Sequence, residues 1–180
     1  MEKTAIRKIT LRKAALCSAA AVTAAVALPQ LVHMLGRLTG TDALTGQILL
    51  PMYLPVLLLG FYAGPAAGAA AGIVSPLLSF ALTGMPAPSQ LGIMTAELFC
   101  YGLFAGIFAP LRINPALKAL AASASARLLR LAVTAAAVLI FKTDGLSLSG
   151  TLYILALGLP GMALHTVAAA YFIKKTGTGE

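Results

Sequence analysis

The sequence predicts an all-α membrane protein, a bundle of six transmembrane helices with both termini in the cytoplasm. Three observations lead there. Apolar residue types make up 59% of the 180 residues, and charged types only 10%. Long apolar stretches recur from Lys13 almost to Lys174, with the charges gathered in short gaps between them. The basic residues, which give the chain a net charge of +8, sit beside one set of span ends. In hydrocarbon the backbone must satisfy its own hydrogen bonds, so spans fold as helices. Each needs roughly 20 apolar residues to cross about 30 Å.

The chain divides into a basic N-terminal segment (residues 1–12), a transmembrane domain (13–175) and a short tail (176–180). No polar stretch is long enough to fold as a separate domain in water. The first span runs from Lys13 to Gly36. Its basic lead-in and its Ala25-Val26-Ala27 run resemble a signal peptide. The apolar run, however, continues past Pro29 through Leu31, Val32, Met34 and Leu35, which suits a membrane helix better. The second span, Gln47 to Ala63, is short and interrupted by Pro51 and Pro55. Only a tight turn at Gly60 to Pro65 divides it from the third, so a re-entrant hairpin is the alternative there. The third span runs from Pro65 to Gly84. Thr83 to Pro88 then forms a loop that two closely spaced prolines make stiff and extended. The fourth span covers Leu91 to Leu111, the fifth Leu117 to Phe141 and the sixth Ser149 to Ile173.

Charge orients this bundle. With the N-terminus inside, the cytoplasmic segments hold Lys3, Arg7, Lys8, Arg12, Lys13, Arg112, Lys118, Lys174 and Lys175, and the external loops hold Arg37 and Lys142. Basic residues flank cytoplasmic span ends, so the bias favours an even number of spans with both termini inside. The same placement argues against nucleic acid as the partner of the positive charge. Small residues mark packing faces. Gly64, Gly68 and Gly72 recur at every fourth position, and Gly102 and Gly106 repeat the spacing, which lets helix backbones approach closely. In the first span the rows Ala20/Ala24 and Ala21/Ala25 offer a flat surface, either for the bundle itself or for a docking partner. Cys17 and Cys100 lie inside spans and read as small apolar side chains.

Polar side chains inside the membrane are costly, so each is a candidate for function. Glu97 is the one acid well inside a span, and Arg127 and Arg130 lie in the fifth. At about 1.5 Å per residue, Glu97 sits roughly 9 Å below the external end of its helix and Arg130 roughly 17 Å below the end of its own. An arginine side chain spans part of that gap, so Glu97 and Arg130 are either an ion pair locking two helices or contacts for a ligand. Arg127, a turn deeper, is expected to snorkel to the cytoplasmic face or meet a partner. His33 lies near the external end of the first span, and His165 in the inner half of the sixth, packed between helices. Tyr53, Tyr101 and Tyr153 are amphipathic and are expected to line a cavity. That cavity is expected near the external face, bordered by the first loop, by the Gly84–Pro88 loop with Met85, and by the polar residues of the later spans. The chain shows no nucleophile-and-base pair, no carboxylate dyad, no phosphate-binding loop and no metal-ligand spacing. The expectation is therefore a protein that is not an enzyme and holds no metal or cofactor.

Two stretches carry a resemblance. One runs from Leu50-Pro51-Met52-Tyr53-Leu54-Pro55 to Gly60-Phe61-Tyr62-Ala63-Gly64-Pro65. The other runs from Ser75-Pro76-Leu77-Leu78 to Leu82-Thr83-Gly84-Met85-Pro86, followed by Met94, Glu97, Tyr101, Gly102 and Gly106. Together they resemble the substrate-binding S components of energy-coupling factor (ECF) transporters, over nearly the whole chain. That resemblance implies capture of a vitamin or related micronutrient from outside, in a cavity toward the external helix ends. It also implies docking, through the alanine rows of the first helix, on a T protein carrying two ATPases, with ATP hydrolysed there. Two other readings stand beside it. One is a small oligomeric secondary transporter using Glu97 for proton coupling. The other is a membrane assembly protein without a ligand.

Overall fold

The computed structural model describes residues 11–40, 42–140, 142 and 146–177. Lys3, Arg7 and Lys8 of the basic N-terminal segment lie outside those residues, as does the end of the tail. Among the described residues every regular element is a helix: α1 (Leu11–Thr39), α2 (Asp42–Leu49), α3 (Tyr53–Ala63), α4 (Pro65–Thr83), α5 (Pro88–Phe108), α6 (Pro115–Leu139), α7 (Leu148–Leu157) and α8 (Leu159–Thr176). Five helical stretches are long and apolar enough to cross a membrane, with α2 and α3 together forming one of 19 residues. The pair α7 and α8 makes a sixth if it is taken as one span bent by 46°. This is the helical, multi-pass architecture that the apolar composition demands.

Prolines set the helix starts. Pro65, Pro88, Pro115 and Pro160 each stand in the first turn of α4, α5, α6 and α8. A proline fits there because the first-turn N–H groups have no intrahelical acceptor anyway. Asn114 caps α6 by accepting from the Ala116 N–H at 2.9 Å. Ser147 caps α7 by accepting from Gly150 at 3.0 Å.

Two of the predicted spans are broken. The second breaks where its prolines foretold an interruption: α2 stops at Leu49, Leu50 takes a left-handed φ of 49°, and α3 starts again at Tyr53. The sixth was expected to be continuous from Ser149 to Ile173 and is not. It bends at Gly158, because Pro160 has no N–H to give and its ring crowds the preceding turn.

The bundle is built around α5, which packs on α3, α4 and α6. α1 packs on α2, α3 and α4, and α8 packs on α6 and α3. The closest approach is between α4 and α5, and it follows the glycine spacing. A Cβ added at Gly68 would overlap the Gly102 carbonyl, and one at Gly72 would overlap the Leu98 backbone. Gly64 has a different role: with φ at 92° it makes the turn between α3 and α4. The apolar core includes Tyr53, Val56, Leu57, Leu98, Tyr101, Ala122 and Ala126.

The first helix separates its two alanine rows. Ala25 is fully buried in the core, Ala21 and Ala24 are half-buried, and Ala20 is exposed. Ala25 therefore belongs to the internal packing and is not available as a docking residue, which corrects the expectation for the Ala21/Ala25 row. Lys118 also departs from its expected place in an open cytoplasmic segment. It is fully buried, and its Nζ donates to the Ala109 carbonyl at 2.9 Å, at the C-terminal end of α5. A cation there satisfies a carbonyl that the helix end leaves without an intrahelical partner.

Candidate functional site

Alternating chain direction brings the C-terminal ends of α1, α4 and α6 and the N-terminal ends of α5 and α7 to one end of the bundle. A cavity of about 470 Å³ lies there. Pro29, Gln30 and His33 of α1 form one wall, with Gly46 and Gln47 of α2. The α2–α3 break contributes Leu50, Pro51 and Met52, and Tyr53 follows at the start of α3. Ser79 of α4, Gln90 and Met94 of α5, Arg130 of α6 and Ile154 of α7 complete the walls. Met85, Pro86 and Ala87 of the α4–α5 loop border the mouth, where Met85 and Ala87 are exposed.

The polar floor of this cavity is a network. Arg130 Nη1 donates to Glu97 Oε2 at 2.6 Å, and the Tyr53 hydroxyl donates to the same oxygen at 2.7 Å. Arg130 Nη2 reaches Gln90 Oε1 at 3.3 Å. Glu97 is 2% exposed and Arg130 7%. The depth mismatch read from the sequence is thus closed by the arginine side chain, as its length allows. A carboxylate buried at this depth needs such a partner, because an unpaired charge there is strongly unfavourable. The arrangement follows from helix periodicity. Gln90, Met94, Glu97 and Tyr101 recur at three- and four-residue steps, so they share one face of α5.

Arg130 is not fully satisfied. Its Nε is buried and has no hydrogen-bond partner among the described residues, and the same holds for Gln30 Nε2. Both residues line the cavity. A buried donor without an acceptor costs roughly 1–3 kcal/mol, and both of these nitrogens are closed off from the open space of the cavity.

A second network sits one turn away. Arg127 Nη1 donates to the Leu155 carbonyl at 2.6 Å, Nη2 to the Gly158 carbonyl at 3.1 Å, and Nε to the Tyr101 hydroxyl at 3.2 Å. Arg127 is 8% exposed. It neither snorkels nor faces outward. It ties α6 to the bend between α7 and α8, adding a second donor to the Gly158 carbonyl that already accepts from the Met162 N–H. The T-shaped stack of Tyr53 on Tyr101, with centroids 4.9 Å apart, links the two networks.

The expected site residues fall into three groups. His33, Tyr53, Met85 and Arg130 line the cavity directly, and Glu97 stands behind Tyr53 and Arg130. Tyr101 is buried in the neighbouring network and does not reach the cavity wall. Tyr153 is 61% exposed on the outer surface of α7, and its neighbour Ile154 faces the cavity instead. Tyr153 is therefore withdrawn from the site. One residue's difference on a helix is a rotation of about 100°, enough to turn a side chain from the bundle to its outside. His33 packs its ring over Gly46, where a Cβ would come within 3.0 Å of it. His165 is buried, with its ring against the Leu49 backbone, between helices as expected.

Reading the sequence passed over Gln30, Gln47 and Gln90. Gln30 carried a signal, since an amide inside an apolar span is a polar group that must find a partner, while Gln47 and Gln90 stand at the edges of the expected second and fourth spans. Gln90 also stands two helical turns before Glu97. No group of His, Cys, Asp or Glu able to hold a metal occurs among the described residues. No family model, curated protein or solved structure matches the chain.

Proposed function

We propose that this chain is the membrane-embedded capture subunit of an ECF-type importer, binding a small molecule of the vitamin class from the external side. The observation that carries the reading is the cavity of about 470 Å³ at one end of the bundle, walled by residues of α1 to α7 and floored by the Tyr53–Glu97–Arg130 network. Its volume falls within the range typical of small-ligand sites, about 300–1,000 Å³. Basic residues cluster at the opposite end, at Arg12, Lys13, Arg112, Lys174 and Lys175, and this bias supports a cytoplasmic position for that end and an external one for the cavity mouth. Both termini are then cytoplasmic and the spans number six. The sequence likeness to S components supplies the remaining roles: docking on a T protein and dependence on its two ATPases.

The geometry argues against proton coupling through Glu97. Two donors converge on one of its oxygens, one of them a guanidinium, so the carboxylate is engaged in a fixed ion pair.

Mass spectrometry of a solvent extract of the purified protein tests capture. One small molecule in near-stoichiometric amount is expected, and an extract free of any such molecule would sink the reading. Uptake in cells tests the coupling. It should require the T protein and ATPases, and uptake by this chain alone would favour a secondary transporter. Ala20→Trp should abolish coupled uptake while the isolated protein still captures its ligand, because Ala20 is exposed on the face of α1 turned away from the core.

A further inference from the structure

Resting on the capture reading, we propose that the cavity takes an uncharged, mostly apolar molecule, and that Glu97 sets this preference by cancelling the charge of Arg130. Among the described residues that line the cavity, Arg130 alone carries a permanent charge. That charge is already matched. Glu97 Oε2 accepts from Nη1 at 2.6 Å, and neither partner is open to water, with Glu97 2% exposed and Arg130 7%. The other two guanidinium nitrogens are withheld as well: Nη2 donates to Gln90 Oε1 at 3.3 Å, and Nε is closed off from the cavity space. Arg127, the other buried arginine of α6, does not line the cavity, and its three nitrogens are taken by the Tyr101 hydroxyl and two backbone carbonyls. The wall therefore presents no unmatched charge to an incoming molecule.

The rest of the wall agrees. Leu50, Met52, Met85, Met94 and Ile154 give it an apolar surface, and Gln47 and Ser79 add dipoles rather than charges. An ion entering such a site gives up its water and meets no counter-charge. A neutral apolar body gains by leaving water, and a few dipoles are enough to orient it. Glu97 acts here without lining the cavity. It is a positioning residue, because its carboxylate fixes Arg130 and cancels its charge. Without that carboxylate, Arg130 would present an unmatched positive charge to the cavity across a weakly screened interior.

Three probes of one shape and different charge test this: benzamide, benzoate and benzamidinium, titrated into the full-length protein in detergent and followed by ligand-observed NMR. The titrations are run at about pH 8, where a free imidazole is neutral. Benzamide should bind at least about tenfold more tightly than either ion. Glu97→Gln should change the order, with benzoate gaining at least about tenfold on benzamide, because Arg130 is then unmatched. The double variant Arg130→Met with Glu97→Gln removes both charges together and should restore the preference for benzamide. Either ion binding as tightly as benzamide to the unaltered protein would overturn the proposal, and so would failure of benzamide to bind. An unchanged order in Glu97→Gln, with only a lower melting temperature, would overturn the part assigned to Glu97. The extract from the purified protein separates the two levels. A co-purified molecule with a net charge overturns this ligand class and leaves capture standing, whereas an extract with no small molecule overturns capture itself.

Discussion

Arg127 and Arg130 lie one turn apart on the same face of α6, both buried, and their surroundings differ in kind. Arg127 spends all three of its nitrogens on the protein, two on backbone carbonyls at the α7–α8 bend and one on a tyrosine hydroxyl. Arg130 spends two, on Glu97 and Gln90, and keeps its Nε unpartnered at the cavity wall. The first arginine ties three helices and a bend together; the second holds the carboxylate beneath the cavity. Composition and position alone could not tell these residues apart, because what distinguishes them is how many acceptors the neighbouring helices bring within reach.

The strongest test removes the cavity arginine. Arg130→Met leaves Glu97 as an uncompensated buried charge and should cost about 3–5 kcal/mol of stability. Combining it with Glu97→Gln should recover much of that loss in thermal melts, since the pair then disappears together. Failure of the double variant to recover would mean that Arg130 supports the fold through contacts other than the carboxylate.

Removing the other arginine should behave differently. Arg127→Met strands the Leu155 carbonyl, at roughly 1–3 kcal/mol, while the Gly158 carbonyl keeps the Met162 N–H. The comparison predicts no recovery when Glu97→Gln is added, because Glu97 does not touch Arg127. Recovery in that double variant would show that the two networks are one.

Glu97→Gln on its own keeps shape and loses charge. Capture should fall about tenfold, roughly 1.4 kcal/mol, as Arg130 is no longer oriented by a carboxylate. Unchanged capture together with a lower melting temperature would make the ion pair a purely structural brace.

The mildest pair of substitutions separates the tyrosines. Tyr53→Phe and Tyr101→Phe each delete one hydroxyl bond, worth about 0.5–1.5 kcal/mol of stability. Only Tyr53→Phe should also weaken capture, by a few fold, because only its hydroxyl holds Glu97 at the cavity floor. Equal effects on capture would erase the distinction between the two networks.

Much of this architecture was legible in the residue order. The glycine rows pointed to close helix contact, and Gly68 and Gly72 do face Gly102 and the Leu98 backbone. Glu97 and Arg130 announced themselves as costly intramembrane charges, and a rise of about 1.5 Å per residue brought them to within an arginine's reach. Pro51 marked the break in the second span. Less was legible where a rotation decides the outcome. Tyr153 and Ile154 are neighbours in sequence yet one is exposed and the other lines the cavity, and Ala21 and Ala25 share a row of which only Ala25 is fully buried. Gln30 was visible as an amide in an apolar span and Gln90 as one at a span's edge, but their meaning depended on what stood opposite them.

What the sequence by itself determined is the class of solvent and the cast of polar groups. A chain that is 59% apolar and 10% charged has to place its helices in lipid, and its few intramembrane charges have to find one another. The tertiary structure alone decided which arginine braces a bend and which holds a carboxylate beneath the cavity. Helix rotation and the bend at Gly158 deliver two carbonyls to Arg127, while the break at Leu50 to Met52 opens a cavity beside Arg130. Hydrogen bonding depends on distances of a few tenths of an ångström and on direction, and those are set by packing between elements far apart in the chain, not by the order of residues within any one of them.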